Sequence, residues 1–354
     1  MMDIYILDGL NGVSDLIDTF ESCIWNMQFF GENDFELTVP GTQQNINRLT
    51  DGTLLVRDFD MGGGTYNNVM VVQNREISYD VEKGWLLKVT GGGLKTLVGR
   101  RVIWAQTNLT GSVEQGIRQV ITDNIISPTN SARTIPNFIL DAAQGFTDTF
   151  DVQLLGENIA EWLTNVCPVH GLGWDVYISG GKYVFKLYKG VNRTYSQTEV
   201  VPVVFSPQFD NLISAKYTYE KADYKNAALV GGEGEGVNQR TATIGTATGL
   251  ERFEAYIDGG SVSSNGDIIT LDTYIKMLED YGIEQLTGTA FIEKFDGEII
   301  PNGMYKLNTD YFLGDIVQID NGFIQATSRI IELIYSEDET GTNLIPTFSD
   351  WEGV

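Results

Sequence analysis

The chain has 354 residues, 42% hydrophobic and 11% aromatic, which excludes a disordered tail and predicts two or three packed units rather than one core. Asp plus Glu number 48 against 23 Lys plus Arg, a formal charge of −25, the wrong sign for tight or sequence-specific nucleic-acid binding and most simply a solubility device. The two distant cysteines, Cys23 and Cys167, exclude a disulfide scaffold and a zinc module and point to a reducing compartment.

The N-terminus, Met1–Gly9, has neither a basic n-region nor a continuous apolar h-region, and no apolar run approaches the roughly 20 residues of a membrane span. A chain made in the cytosol, without a cleaved signal, is expected. Up to about residue 100 the sequence reads as six short strands: Ile4–Leu7, Ser22–Met27, Asp34–Val39, Thr53–Val56, Val69–Val72 and Trp85–Val89. Turn residues at Pro40-Gly41, Asp51-Gly52 and Gly62–Gly64 separate them, a pattern that predicts a small barrel or sandwich. Gly91–Arg101 predicts a helical turn that closes this unit.

The period then changes. Val113, Ile117, Val120, Ile121 and Ile125 fall on one helical face, with Ser112 and Gln115 placed as a capping box and a stop near Ser127-Pro128. A second helix carries Ile159, Leu163 and Val166 and is expected to end at Cys167-Pro168. Trp174–Leu187 reads as a hairpin turning at Gly180-Gly181, with Trp174, Val176 and Ile178 facing Tyr183, Phe185 and Leu187. Strands resume at Leu212–Tyr219 and Asn226–Val230, followed by the glycine-acidic stretch Gly231–Gly236. A third helix over Thr270–Leu286 puts Tyr274, Met277, Leu278 and Tyr281 on one side, and the chain ends in strands.

One strand pair is written twice. Gly52–Asp58 followed by Met70–Tyr79 resembles Gly314–Asp320 followed by Ile324–Tyr335: a Gly, a short apolar strand ending in Asp, a turn, then a strand with a central Arg and a late Tyr. The turn is long in the first copy, Phe59–Asn68, and little more than Asn321-Gly322 in the second. Two related β-modules in one chain change the symmetry an oligomer can present. The expected architecture is a β-rich α+β chain with two related small β-barrels. The first spans 1–100 and the second 206–245 and 301–354, with an inserted α/β domain at 101–205 and a one-helix insertion at 246–300.

Enzymatic signatures are sparse. Cys167 and the lone histidine, His170, have the spacing of half a metal site, but no second pair follows. A Ser-His-Asp triad would need the same His170, and no Gly-x-Ser-x-Gly elbow occurs. Gly232–Gly236 holds Glu where a phosphate loop needs bare amides and Lys. Asp296, Glu298 and Asp315 suggest a carboxylate pair or a calcium site, yet Asp-Gly steps are usually turns and no ligand ladder is present. No catalytic, cofactor-binding or metal residue is assigned, and no cofactor is expected.

With these pieces in order, the sequence resembles the tail hub family of tailed bacteriophages. The residues that carry the resemblance are Ser206–Tyr217, Asp223–Gly236 running to Arg240, Thr309–Val317 and Thr327–Glu332, with Gly91–Arg101 in the first half. The resemblance implies a non-enzymatic virion protein: a homotrimeric ring at the distal end of a phage or prophage tail, assembled in the bacterial cytoplasm. Each subunit would offer two β-barrels, so that three chains join a sixfold tube to a threefold tip. Its implied partners are the distal tail protein, the tape-measure protein and tip or fibre proteins, and DNA would pass through a channel whose acidic wall repels phosphates during ejection. The resemblance is siphophage-like, and with the sequence ending at Pro346–Val354 the tail-tip extension of longer relatives is expected to be absent. Two rivals predict other chemistry: a carbohydrate-binding adhesin stacking sugars on Trp25, Trp104 or Trp351, and a glycosidase working through two acidic residues.

Overall fold

A computed structural model describes residues 2–300, 303–320, 322–323 and 325–353. The first unit contains β1 (Ile4–Leu7), β2 (Val13–Ile17), β3 (Ser22–Gln28), β4 (Asp34–Pro40), α1 (Gln43–Arg48), β5 (Leu54–Arg57), β6 (Met61–Gly62), β7 (Thr65–Tyr66), β8 (Met70–Asp80) and β9 (Gly84–Gly93). Period-two alternation buries Cys23, Trp25 and Met27 of β3 with Phe35, Leu37 and Val39 of β4 on one face. The sheet runs β3-β4-β9-β8-β5-β1-β2, antiparallel throughout.

The α/β insert follows, with α2 (Thr96–Gly99), β10 (Thr107–Ser112), α3 (Val113–Ile121), β11 (Phe138–Leu140), β12 (Thr149–Leu154), α4 (Ile159–Val169), β13 (Gly173–Ser179) and β14 (Lys182–Tyr188). The Ser112 hydroxyl caps α3 by accepting from the Gln115 N–H, and all five residues of the expected apolar face are buried. Helix α4 runs through Pro168 to His170 instead of stopping at Cys167-Pro168. Its end is tightened by the His170 and Leu172 amides, which both donate to the Cys167 carbonyl. The β13–β14 hairpin has the expected register, Trp174 opposite Leu187, Val176 opposite Phe185 and Ile178 opposite Tyr183. Its turn places Gly180 and Gly181 at φ 56° and 72°, a primed turn that glycine adopts without strain.

The long turn of the first copy also finds its purpose in this insert. β6 and β7 lie inside Phe59–Asn68 and join the insert sheet, with Tyr66 opposite Ile178.

The second unit comprises β15 (Val204–Phe205), β16 (Leu212–Glu220), β17 (Ala227–Gly231), β18 (Thr241–Ile244), β19 (Glu254–Asp258), α5 (Leu271–Thr287), β20 (Ile292–Ile299), β21 (Ile316–Asp320), β22 (Gln325–Asp338) and β23 (Gly341–Gly353). Strands β17 and β18, expected within the second β-unit, instead form a separate sheet β18-β17-β19 packed on Tyr274, Met277 and Leu278 of α5. A Cβ on Gly232 would stand 2.3 Å from the Tyr274 hydroxyl, so glycine is what lets the strand end meet the helix. Conversely β20, expected in the insertion, returns to the main sheet between β16 and β23. The protein is a β-rich α+β fold whose sheets, among the described residues, do not close into barrels. No helix of the described residues is long and apolar enough to cross a membrane.

Glu284 of α5 is half-buried, and desolvation followed by repulsion from Glu157 pushes its carboxyl up to about 7. A raised carboxyl favours folding in its protonated form, fully below about 4.5, and this contribution is lost as pH rises through about 7. Glu284→Gln is expected to stabilise the fold at pH 8 by on the order of 1–2 kcal/mol, less than the full shift because solvent still reaches the group, and thermal unfolding should show a higher midpoint. Near pH 4.5 wild type and variant should melt together.

Candidate assembly interface

The repeat is a property of the whole sheet. In chain order the first unit supplies β3, β4, β5, β8 and β9, and the second supplies β16, β20, β21, β22 and β23. Each set is arranged first-second-fifth-fourth-third, all antiparallel. Registers match residue by residue. The long hairpins end in Asp80 opposite Gly84 and Asp338 opposite Gly341, and each Asp carboxylate accepts from amides of its own turn. Ile77 lies opposite Leu87 as Tyr335 lies opposite Leu344. Val39 faces Leu87 as Ile299 faces Leu344, and Ser22 faces Thr38 as Ser214 faces Glu298. Even a β-bulge recurs, with Gln73 and Ile331 as the extra residues.

This register corrects one detail of the sequence repeat. Gly52–Asp58 does correspond to Gly314–Asp320, since Leu54 opposite Val71 matches Ile316 opposite Arg329. The shared Arg and Tyr do not: Arg75 corresponds to Leu333 and Tyr79 to Glu337. The unequal turns shift the second strand by four residues. Asn321 and Ile324 lie outside the described residues.

The units are fused by β3 and β22. Glu332–Asp338 of the second unit pairs antiparallel with Gln28–Ser22 of the first, placing Leu333 opposite Met27 and Tyr335 opposite Trp25. Beneath this seam Arg57 is completely buried. Its Nε donates to Asp60 at 2.5 Å, and its guanidinium lies 4.5 Å from the Phe59 ring centre, 5.3 Å from Trp25 and 5.4 Å from Tyr335. Asp60 also accepts from Asn68 Nδ2, and the Asn68 carbonyl accepts from Trp25 Nε1. Lys95, likewise buried, donates to the Gln28 and Gly31 carbonyls just past β3. Burial lowers its pKa to about 8.

The corresponding seam on the other side of each unit is open. β8 pairs with β5 only around Met70–Val72, and beyond the bulge its outer edge, Asn74–Asp80, meets no strand among the described residues. β16 is the terminal strand of the sheet. Where β22 is covered, Leu333 is 1% exposed; on β8, Ile77 and Tyr79 are 49% and 62% exposed, and Tyr219 on β16 is 53% exposed. The sheet face opposite the core carries Asp34, Glu36, Glu76, Glu298 and Glu332 against Lys88 and Lys216. Burial raises the Asp34 carboxyl despite a hydrogen bond from Asn26, and Glu332 adds to the rise.

Cys167 is buried, which pushes its thiol far up, and His170 stands edge-on to Phe150 with its pKa lowered by burial. Among the described residues no group of acidic, His and Cys side chains could hold a metal. Asp315 accepts from Arg193 Nε at 2.5 Å and from the Val191 and Phe312 amides, clasping the entry to β21. Glu298 sits on the acidic face, while the Asp296 side chain lies outside the described residues. In Gly232–Gly236, Glu233 accepts from Ser263 and Ser264 and pairs with Arg240, so the stretch is anchored. Trp25 is buried, Trp104 is exposed beneath Arg133, and the Trp351 side chain is outside the described residues.

The sequence matches the family described as Siphovirus ReqiPepy6 Gp37-like protein over residues 3–349. The chain belongs to that family. No curated protein sequence matches it. Its fold is that of solved phage tail proteins. The 43 kDa tail protein of prophage MuSo2 from Shewanella oneidensis superposes with a TM-score of 0.63 at 12% identity, covering 98% of both chains. A tail protein from Neisseria meningitidis MC58 gives 0.60 at 13% identity, covering 99% of this chain and 96% of that one. The prophage tail protein gp18 from Listeria monocytogenes EGD-e gives 0.52 at 11% identity, covering 98% and 94%. These relatives bear out the resemblance to phage tail proteins, and they are described as tail proteins.

Asp60→Asn is expected to cost about 3–5 kcal/mol, because it leaves the Arg57 charge buried and uncompensated. The double variant Arg57→Met with Asp60→Asn should recover much of that loss, a comparison that denaturant unfolding of the two variants measures.

Proposed function

We propose that this protein is the structural hub at the distal end of a phage or prophage tail, a homotrimeric ring that joins the sixfold tube to the threefold tip and surrounds the DNA path. The observation that carries the proposal is the pair of equivalent five-strand units in one chain, because three such chains present six like modules. In this reading the modules, 1–100 on one side and the main-sheet strands of 206–354 on the other, act as the two barrel-like halves of the family fold. The α/β insert and the β17–α5 layer then project outward to meet neighbouring tail proteins, with distal tail, tape-measure and tip or fibre proteins as the partners.

The acidic sheet face is the natural channel wall, since the opposite face is used by the core. Its carboxylates repel DNA phosphates and keep the passing chain from sticking. Electron cryomicroscopy of tails carrying this chain is expected to find three copies around the axis at the distal end. A different copy number, or normal tails without the protein, would overturn the reading. Tails built with Glu36→Lys are expected to release DNA more slowly, with the delay shrinking as salt is raised.

A further inference from the structure

We propose that the ring closes by strand addition between copies, the open edge Asn74–Asp80 of one chain pairing antiparallel with β16 of the next in the register of the β3·β22 seam. The inference rests on the ring reading and specifies its contact. Transferring each position through the matched registers places Asp80 opposite Ser214, Ser78 opposite Lys216, Ile77 opposite Tyr217, Glu76 opposite Thr218, Arg75 opposite Tyr219 and Asn74 opposite Glu220 of the neighbour.

The side chains in this register complement one another. On the core-side face, Ile77 meets the Tyr217 ring, and Arg75 takes the place of Leu333 against the Tyr219 ring, a cation–π arrangement. On the other face Lys216 lies opposite Ser78 and diagonal to both Glu76 and Asp80. The exposed residues Ile77, Tyr79 and Tyr219 thereby become covered, as Leu333 already is within the chain. An open strand edge is a template for another strand, and one chain carries both halves of the contact. The contact is head-to-tail and repeats the internal seam. Every unit then meets the next in the same way around the ring.

Paired cysteines test the register in tail particles. The native Cys23 and Cys167 are buried, so background cross-linking is low. Glu76→Cys with Thr218→Cys in the same chain is expected to give, on mild oxidation, covalent dimers and trimers and nothing larger. Glu76→Cys with Ser214→Cys, four residues out of register, should stay uncrosslinked. Mixing the Glu76→Cys and Thr218→Cys single variants should give dimers alone. Ile77→Asp, at a position exposed in the single chain, should leave the unfolding midpoint of the isolated chain unchanged yet abolish ring incorporation. Particles with three copies in which the shifted pair links and the matched pair does not would overturn this contact and leave the ring reading intact. Particles without three copies around the axis would overturn both.

Discussion

The fold depends on a buried seam in which two copies of one five-strand arrangement become a single sheet. β22 gives its inner half-edge to β21 of its own unit and its outer half-edge to β3 of the other. Arg57 holds the two together from beneath, with one carboxylate, Asp60, and three aromatic faces around it. A guanidinium withdrawn from water is costly to leave uncompensated, so Phe59, Asp60 and Asn68 are constrained in one loop. That loop then continues into β6 and β7, which bind the α/β insert. One buried charge therefore ties three parts of the chain to a common geometry.

The same arrangement explains where the surface is unfinished. Equivalent positions of the two units differ in burial because one seam is made within the chain and the other is not. Leu333 is apolar where Arg75 is charged, and Glu337 is buried where Tyr79 is exposed. A second apolar residue beside Ile77, at the position of Arg75, would invite indiscriminate strand pairing, and the charge of Arg75 restrains it. Part of the chain's acidity lies on the sheet face opposite the core, where Asp34, Glu36, Glu76, Glu298 and Glu332 outnumber Lys88 and Lys216.

Much of this architecture was legible in the sequence. The Trp174–Leu187 hairpin, the α3 face capped by Ser112 and the Tyr274 face of α5 all follow from periodicity and turn chemistry. The repeat was legible in its third strand, where Gly52–Asp58 and Gly314–Asp320 share length and punctuation. It is not legible in its fourth, because matching Arg and Tyr is blind to a change in turn length. The separate layer of β17 and β18 is not legible, since alternating apolar residues say that a strand has a buried face but not which layer covers it. Arg57 gave no signal. At the end of a short strand an arginine reads as solvent-exposed, and only the tertiary meeting of Trp25, Phe59 and Tyr335 makes it a core residue.

Hydrogen exchange, compared between the free chain and the assembled tail, tests the central claim most directly. The outward-facing amides of Asn74–Asp80 should exchange quickly in the free chain and become protected on assembly, while those of Glu332–Asp338 stay protected in both. Equal exchange at Asn74–Asp80 in the two states would contradict the account, because it would leave the second seam open in the working assembly.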